Sequence, residues 1–227
     1  MYNKIYLVFW LFFLTLICQA NNWYEQDVPP SEVMESAKKE LPSYLEMINA
    51  EKTHWNYAEN DSVLSSTLGK PFQIFVFDLT DSTKFATVKS IVEKSSTWRV
   101  PIIYNGIVKV IMTASRNRSG NFEVSGFTTE LVDEVNAINS KWPENIGFHP
   151  VIITTSRKKF YFTIPEIDSV NLTSFKYKEN KNGSRAFDNS LFVNKNNFKF
   201  DSLKNVIDEV KSSHIFQKSK TRKPEGK

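Results

Sequence analysis

Residues 100–114 read VPIIYNGIVKVIMTA, and this stretch carries the clearest local signal of secondary structure in the chain. Its two halves, 100–104 and 107–114, are rich in β-branched residues, which favour extended strands. Between them stands Asn105-Gly106, the dipeptide that best tolerates the two positive φ angles of a type I′ turn. The stretch therefore predicts a β-hairpin with a two-residue turn.

A two-residue turn also predicts the register of this hairpin. Counting outward from the turn places Ile103 opposite Val108 and Pro101 opposite Val110. Proline has no backbone N–H, so Pro101 fits only at an edge position or at the start of a strand. Both faces of the hairpin are apolar, and we expect both to be at least partly covered.

Further strands are predicted around the hairpin. The polar turn 116–121 leads to a strand at 122–127, which would complete a three-stranded meander. Residues 72–79 are almost continuously apolar, as in a strand buried on both faces, and we place them centrally in a sheet. A second hairpin is expected from strands at 151–155 and 160–164.

Apolar residues recur at helical spacing in several segments. Pro42 falls inside the first of these, so we expect two short helices or one helix kinked at Leu41. The other helices are expected at 62–68, at 81–95 with Asp81 as the N-cap, from 128 or 129 to 142, and from 203 to about 210 with Asp201 as the N-cap. Residues 179–189 are expected to form a polar loop and 191–200 an interrupted strand.

Hairpins with helices before and after them indicate an α+β fold. We expect an antiparallel sheet of about six to eight strands, built from hairpins and a meander and packed against several amphipathic helices. The expected domain is residues 59–212. A helical segment at 21–58 would pack on it, and residues 213–227 would form a flexible basic tail.

The first twenty residues resemble a secretory signal. The segment is apolar from Ile5 to Cys18 and ends in Cys18-Gln19-Ala20, which predicts cleavage between Ala20 and Asn21. The run is shorter than the roughly 20 residues of a membrane span. Lipidation of Cys18 is disfavoured by the bulky residue before it. We therefore expect a secreted or periplasmic protein whose mature chain contains no cysteine and no disulfide.

The net charge of +4 is concentrated at the C-terminus. Residues 211–227 carry six basic side chains and one acidic side chain, which leaves the body slightly acidic. A nucleic-acid-binding domain needs a basic face, so we do not expect the folded body to bind nucleic acid. Membrane contact is expected only through an uncleaved or lipidated N-terminus or through the basic tail.

No catalytic motif is present, and we predict no catalytic residue, metal site or cofactor. His54, His149 and His214 lack the spacing of helical metal ligands, and neither a Gly-x-Ser-x-Gly motif nor a glycine-rich phosphate loop occurs. A triad formed by a serine, His149 and an aspartate from distant positions stays open, because triads are defined by geometry.

Neighbouring carboxylates could serve as an acid and a base in catalysis. Asp133 with Glu134, and Glu166 with Asp168, are such pairs. In a chain with 25 acidic residues, adjacency is weak evidence, and we expect these groups on the solvated surface.

Four residues are candidates for binding. Arg116 and Arg118 lie in a polar turn, where they could hold an anion or an acidic peptide. Trp98 and Arg99 stand at the entrance to the first hairpin. Trp98 is also a natural packing anchor, because a large aromatic ring buries much apolar area.

The leading hypothesis is an exported, non-enzymatic binding module that recognises a protein or peptide, as an inhibitor or a prodomain does. An exposed sheet edge that adds a strand would be one means of recognition. The alternatives are an exported hydrolase with a noncontiguous Ser/His/Asp site and an envelope-associated structural protein.

Overall fold

The computed structural model describes Tyr24 and residues 29–78, 87–155, 159–179, 185–193 and 200–220. The predicted signal segment, the cleavage position Ala20-Asn21 and the expected N-cap Asp81 lie outside the described residues.

The structure is a mixed α+β fold built on one large, mostly antiparallel sheet of eight strands. These strands are β1 Thr67–Leu68, β2 Phe72–Phe77, β3 Val92–Tyr104, β4 Ile107–Arg116, β5 Phe122–Thr128, β6 Val151–Thr154, β7 Phe160–Thr163 and β8 Thr173–Ser174. A separate pair consists of β9 Tyr177–Glu179 and β10 Arg185–Phe187. The order in the large sheet is β5-β4-β3-β2-β6-β7-β8, with β1 beside the end of β3.

Within the described residues, three longer helices accompany the sheet: α1 Ser31–Ala50, α2 Val132–Lys141 and α4 Leu203–Lys220. A fourth, α3 Ser190–Val193, is a single turn. Short 3-10 turns are found at Lys52–Trp55, Val63–Ser65, Val88–Ile91 and Glu144–Ile146.

The helices cover both faces of the sheet, which gives three layers. On one face, Val135 and Ile138 of α2 pack with Ile111 of β4 and Phe162 of β7. On the other face, α1 lies over one half of the sheet and α4 over the other half, each with its own buried cluster. The apolar character of both faces of the first hairpin follows from this double coverage.

The predicted hairpin turn is confirmed. Asn105 has φ 50° and Gly106 has φ 77°, and the pairing begins with Tyr104 opposite Ile107 and Ile103 opposite Val108.

Beyond the second pair the predicted register is wrong. Val110 lies opposite Ile102 and not opposite Pro101, because β4 contains one extra residue, Lys109, at a β-bulge. The Lys109 ammonium donates to the carbonyl oxygen of Asn56 (2.9 Å) and lies 3.5 Å from the Asp61 carboxylate. The bulge is accompanied by these contacts with residues about fifty positions earlier, which a local sequence pattern cannot show.

The division into two helices, one of the two alternatives predicted at Pro42, does not occur, since α1 is continuous from Ser31 to Ala50. Proline removes the hydrogen bond to the carbonyl four residues earlier, that of Lys38. Both residues lie on the exposed side of α1, where water can bind this carbonyl, and the opposite side is held on the sheet by buried residues such as Ala37 and Leu45.

Other helix and strand boundaries also differ from the predictions. Residues 62–68 form a 3-10 turn and strand β1, and residues 92–95 belong to β3 and not to a helix. Apolar residues at 88, 91 and 92 fit a turn followed by a strand as well as they fit a helix, so spacing alone did not distinguish them. At the other end of the chain, 191–193 are helical and the expected loop at 179–189 contains the ends of β9 and β10.

The predicted central position of 72–79 is confirmed for β2. It pairs antiparallel with β3 on one side and parallel with β6 on the other. The described part of the second hairpin is confirmed as β6 and β7, with Val151 opposite Thr163.

Candidate functional site

A polar cavity of about 400 Å³ opens on the α2 face of the sheet. Its wall is rich in hydroxyl side chains from four strands: Ser95, Thr97, Thr113, Ser125, Thr128 and Thr154. Arg99 and Glu130 supply its charges, and Ile74, Val76 and Phe160 supply apolar surface. The Phe127 ring packs on Tyr44 and Trp55 on the opposite, α1 side of the sheet. We call this cavity the Arg99 groove.

The sheet register explains why the groove is open. Arg99 of β3 lies opposite Thr113 of β4, and Thr113 lies opposite Gly126 of β5. A Cβ atom built on Gly126 would meet no atom within 4 Å, so open space lies beside this position. The helix that covers this face, α2, begins only at Val132, because Leu131 has a left-handed φ of 71°.

Strand alternation places the polar side chains together. Ser95, Thr97 and Arg99 are two residues apart on β3 and all line the groove, whereas Trp98 and Val100 point into the core under α1. The Ser95 and Thr97 hydroxyls are 2.7 Å apart and form a hydrogen bond. This polar row lies inside an otherwise apolar sheet.

The Arg99 guanidinium is the least satisfied charged group of the groove. Its Nη1 donates to the Thr113 hydroxyl, but its Nε is buried and has no hydrogen-bond partner among the described residues. Burial lowers the pKa of Arg99, and the negative charge of Glu130 raises it. Arginine still remains protonated, so a cation with unused hydrogen-bonding capacity faces the groove.

Glu130 carries the opposite charge at the rim. Its side chain is exposed, and its backbone N–H donates to the Thr128 hydroxyl (3.0 Å). Among the described residues, its carboxylate makes no salt bridge with Arg99 or with any other base. The groove thus contains two opposite charges that are not paired with each other.

No known protein-family model matches the chain, and no curated protein is significantly similar to it. The geometry of the Arg99 groove is therefore the main indication of function.

The four candidate binding residues do not form one site. Trp98 is 3% exposed and packs in the core beneath α1. Arg116 lies over the ring of Phe122 at 4.4 Å, and its Nη1 donates to the Gly120 carbonyl oxygen (2.6 Å). Arg118 is exposed in the same turn. Because Phe122 belongs to the α1 side, Arg116 and Arg99 are on opposite faces of the sheet.

A second cavity, of about 430 Å³, lies at the other end of α2 and includes His149 in its lining. The His149 Nδ1 atom is 2.7 Å from the Glu166 carboxylate, which therefore orients the imidazole. Neither a serine nor a threonine is among the described residues that line this cavity. The structure thus shows an oriented histidine without an adjacent hydroxyl nucleophile in the part of the chain it describes.

Within the described ranges, no group of three or more His, Cys, Asp or Glu side chains is arranged to hold a metal ion. No helix in those ranges combines the length and the apolar character that crossing a membrane requires.

The expectation of a solvated Glu134 is wrong. This side chain is only 5% exposed, and its carboxylate accepts a hydrogen bond from the Tyr177 hydroxyl (2.6 Å). Burial raises the pKa of Glu134, while the bond from Tyr177 acts in the opposite direction. Sequence spacing missed this burial because the β9-β10 pair, which covers that side of α2, follows more than forty residues later.

We expect Glu134→Gln to remove a pH dependence of stability. Because the carboxyl pKa is higher in the folded state, folding binds a proton, and stability falls as pH rises from the ordinary glutamate pKa through the folded pKa. The glutamine variant is neutral throughout. It should therefore gain stability relative to the wild type as the pH rises above the ordinary glutamate pKa.

Urea unfolding at a series of pH values measures this difference. Asp133→Asn is the matched control, since Asp133 is the exposed neighbour on the same helix. A wild-type curve parallel to that of Glu134→Gln would contradict the prediction.

Proposed function

We propose that the protein is a non-enzymatic binding module that recognises a carboxylate group of a peptide or protein through the Arg99 groove. The observation that carries the proposal is the partly buried guanidinium with a buried Nε that lacks a partner among the described residues. A guanidinium presents donors in a planar fork that matches a carboxylate.

The energetics support a binding role. Withdrawing a cation from water is unfavourable unless hydrogen bonds and an opposite charge compensate. Arg99 has one hydroxyl partner, Thr113, and the nearby carboxylate of Glu130 does not pair with it. An incoming carboxylate would supply the missing opposite charge and accept hydrogen bonds from the accessible N–H groups of the Arg99 guanidinium.

The composition of the groove suits a peptide. The hydroxyl oxygens of Ser125 and Thr154, whose protons are donated to backbone carbonyl oxygens, can accept hydrogen bonds from a peptide backbone. Val76 and Phe160 offer apolar contact to a side chain. A volume of about 400 Å³ is within the range of small-ligand pockets. This supports recognition of one or two residues inside the groove.

The groove is a better candidate than the sheet edges. At the β5 edge, the Val124 N–H donates to the Ser36 hydroxyl of α1 (3.0 Å), so an added strand could not use it. The opposite edge strand, β8, has two residues, and its neighbour Leu172 forms a bridge with Asp201. Addition of a strand would require these contacts to be replaced.

Export of the protein is part of the proposal and is supported by the sequence pattern of residues 1–20. In an exported module of this kind, an inhibitor-like or prodomain-like role would place a peptide segment of the partner in the groove.

Binding of short peptides tests the proposal. We expect a mixture of acetylated tripeptides with free C-terminal carboxylates to shift NMR signals of groove residues, and the C-terminally amidated mixture to shift them far less. Arg99→Gln should weaken binding of the free-acid peptides roughly tenfold to a hundredfold, since charged hydrogen bonds contribute about 1.5–3 kcal/mol. The variant should fold, because it removes an incompletely paired charge.

Arg118→Gln is the matched control, since it removes the same charge from an exposed turn outside the groove. Equal binding of the free and amidated peptides, absence of binding by both, or unchanged binding by Arg99→Gln would each overturn the proposal.

A further inference from the structure

We infer that the ligand of the Arg99 groove carries a cationic group close to its carboxylate, with the carboxylate at Arg99 and the cation at Glu130. This inference rests on the proposed function and specifies its ligand. The chemical class includes a peptide that ends in a basic residue and a short peptide with a free α-ammonium group.

The two opposite charges of the groove, Arg99 and Glu130, are not paired with each other. Arg99 and Glu130 line the same cavity, yet they form no salt bridge with each other. Within the described ranges, the Glu130 carboxylate also has no other base as a partner, whereas carboxylates such as Asp188 and Glu144 do pair with lysines. Two opposite charges held apart in one groove can be bridged by a ligand that carries both.

Arg99 and Glu130 lie at different depths in the groove. Arg99 lies on the floor, in the row that runs through Thr113 to Gly126, and its Nε is buried. Glu130 is exposed at the rim, just after the end of β5. A ligand carboxylate would therefore be the deeper group, and its cation would remain near solvent.

The charge of Glu130 also affects which anions the groove should prefer. A dianion at Arg99 would be attracted more strongly by the guanidinium, but it would also be repelled more strongly by the Glu130 carboxylate, and it has no group that attracts Glu130. A carboxylate accompanied by a cation reduces this repulsion further. The groove should therefore prefer such ligands to inorganic phosphate.

Three dipeptides test the inference by isothermal titration at low ionic strength. Acetyl-Ala-Lys carries the carboxylate and a side-chain cation, Ala-Ala carries the carboxylate and an α-ammonium group, and acetyl-Ala-norleucine carries the carboxylate alone. We expect one of the first two to bind about two- to fivefold more tightly than the norleucine peptide, the range for a solvent-exposed ion pair. The better of the two identifies which source of the cation fits.

Glu130→Gln should abolish this preference and leave binding of acetyl-Ala-norleucine unchanged or slightly tighter. Glu35→Gln, which removes the same charge from an exposed position on α1, should preserve the preference. Added salt should reduce the preference in the wild type.

The results separate this inference from the proposed function. If acetyl-Ala-norleucine binds through Arg99 as tightly as both charged peptides, or if Glu130→Gln keeps the preference, the inference is wrong and carboxylate recognition stands. Tighter binding of inorganic phosphate than of the dipeptides would also overturn it. If C-terminally amidated versions of the three dipeptides, titrated alongside, bind as well as the free acids, the proposed function itself fails.

Discussion

Phe162→Ala is expected to destabilise the fold by about 3–5 kcal/mol, the range for removing a buried phenylalanine side chain from a core. Phe162 is 0% exposed and stacks on Phe175 and Phe192, with ring centroids 4.7 and 5.5 Å away. The Trp142 ring lies 6.0 Å away at the end of α2. Alanine would leave a cavity where strand, helix and C-terminal segments meet, because these rigid rings cannot all move into the space.

Guanidinium unfolding followed by tryptophan fluorescence measures the loss, since Trp142 lies beside the substituted ring. Phe162→Leu keeps most of the volume and should cost well under half as much, so the effect stays measurable even if the alanine variant does not fold. Ile107→Ala is the control at an exposed position and should have little effect. A loss below about 1 kcal/mol for Phe162→Ala would show that this cluster is not a unified core.

Asn136→Ala is expected to destabilise the fold by about 2–3 kcal/mol. The Asn136 side chain makes two hydrogen bonds to one residue of β4: its Oδ1 accepts from the Val108 N–H (2.9 Å), and its Nδ2 donates to the Val108 carbonyl oxygen (2.8 Å). Val108 precedes the β-bulge at Lys109. Removing the amide leaves two backbone groups without these partners, each at about 1–3 kcal/mol if buried, offset slightly by the better helix propensity of alanine.

Asn139→Ala is a matched control, because it makes the same change at an exposed position of the same helix. It should be neutral or slightly stabilising, since alanine is the better helix former. Urea unfolding compares the two variants. Equal stability of both would mean that water replaces the amide of Asn136 and that α2 is held by its apolar contacts alone.

The residues of the Arg99 groove are expected to reduce the stability of the fold. Its cation lacks one hydrogen-bond partner within the described residues, and its hydroxyl groups stand where apolar side chains would pack more favourably. Stability lost at a functional site is compensated elsewhere in a protein. The aromatic cluster around Phe162, on the same face of the sheet, contributes stability of this kind.

Part of the candidate site could be read from the sequence. Arg99 is a candidate binding residue on the sequence alone. Its position on the same strand face as Ser95 and Thr97 is a weaker signal, because Ser96 between them is polar too. That signal was obscured because residues up to 95 were assigned to a helix. Glu130 could not be recognised, since its relation to Arg99 depends on the pairing of β3 with β4 and of β4 with β5.

Secondary-structure elements that depend on neighbouring residues could be predicted from the sequence. Asn105-Gly106 specified the hairpin and its first two pairs, the apolar run at β2 specified a buried central strand, and helical spacing specified α1, α2 and α4. Turn geometry and hydrophobic periodicity depend on neighbours within a few residues, so they can be read directly.

Features that depend on contacts between distant residues could be recognised only in the tertiary structure. The bulge at Lys109 accompanies contacts with Asn56 and Asp61, and the continuity of α1 through Pro42 depends on packing against the sheet. The burial of Glu134 requires the β9-β10 pair, and the Arg99 groove requires side chains from several strands on one face. Such contacts join residues far apart in the chain, and their free energies override local preferences that differ by less than about 1 kcal/mol per residue.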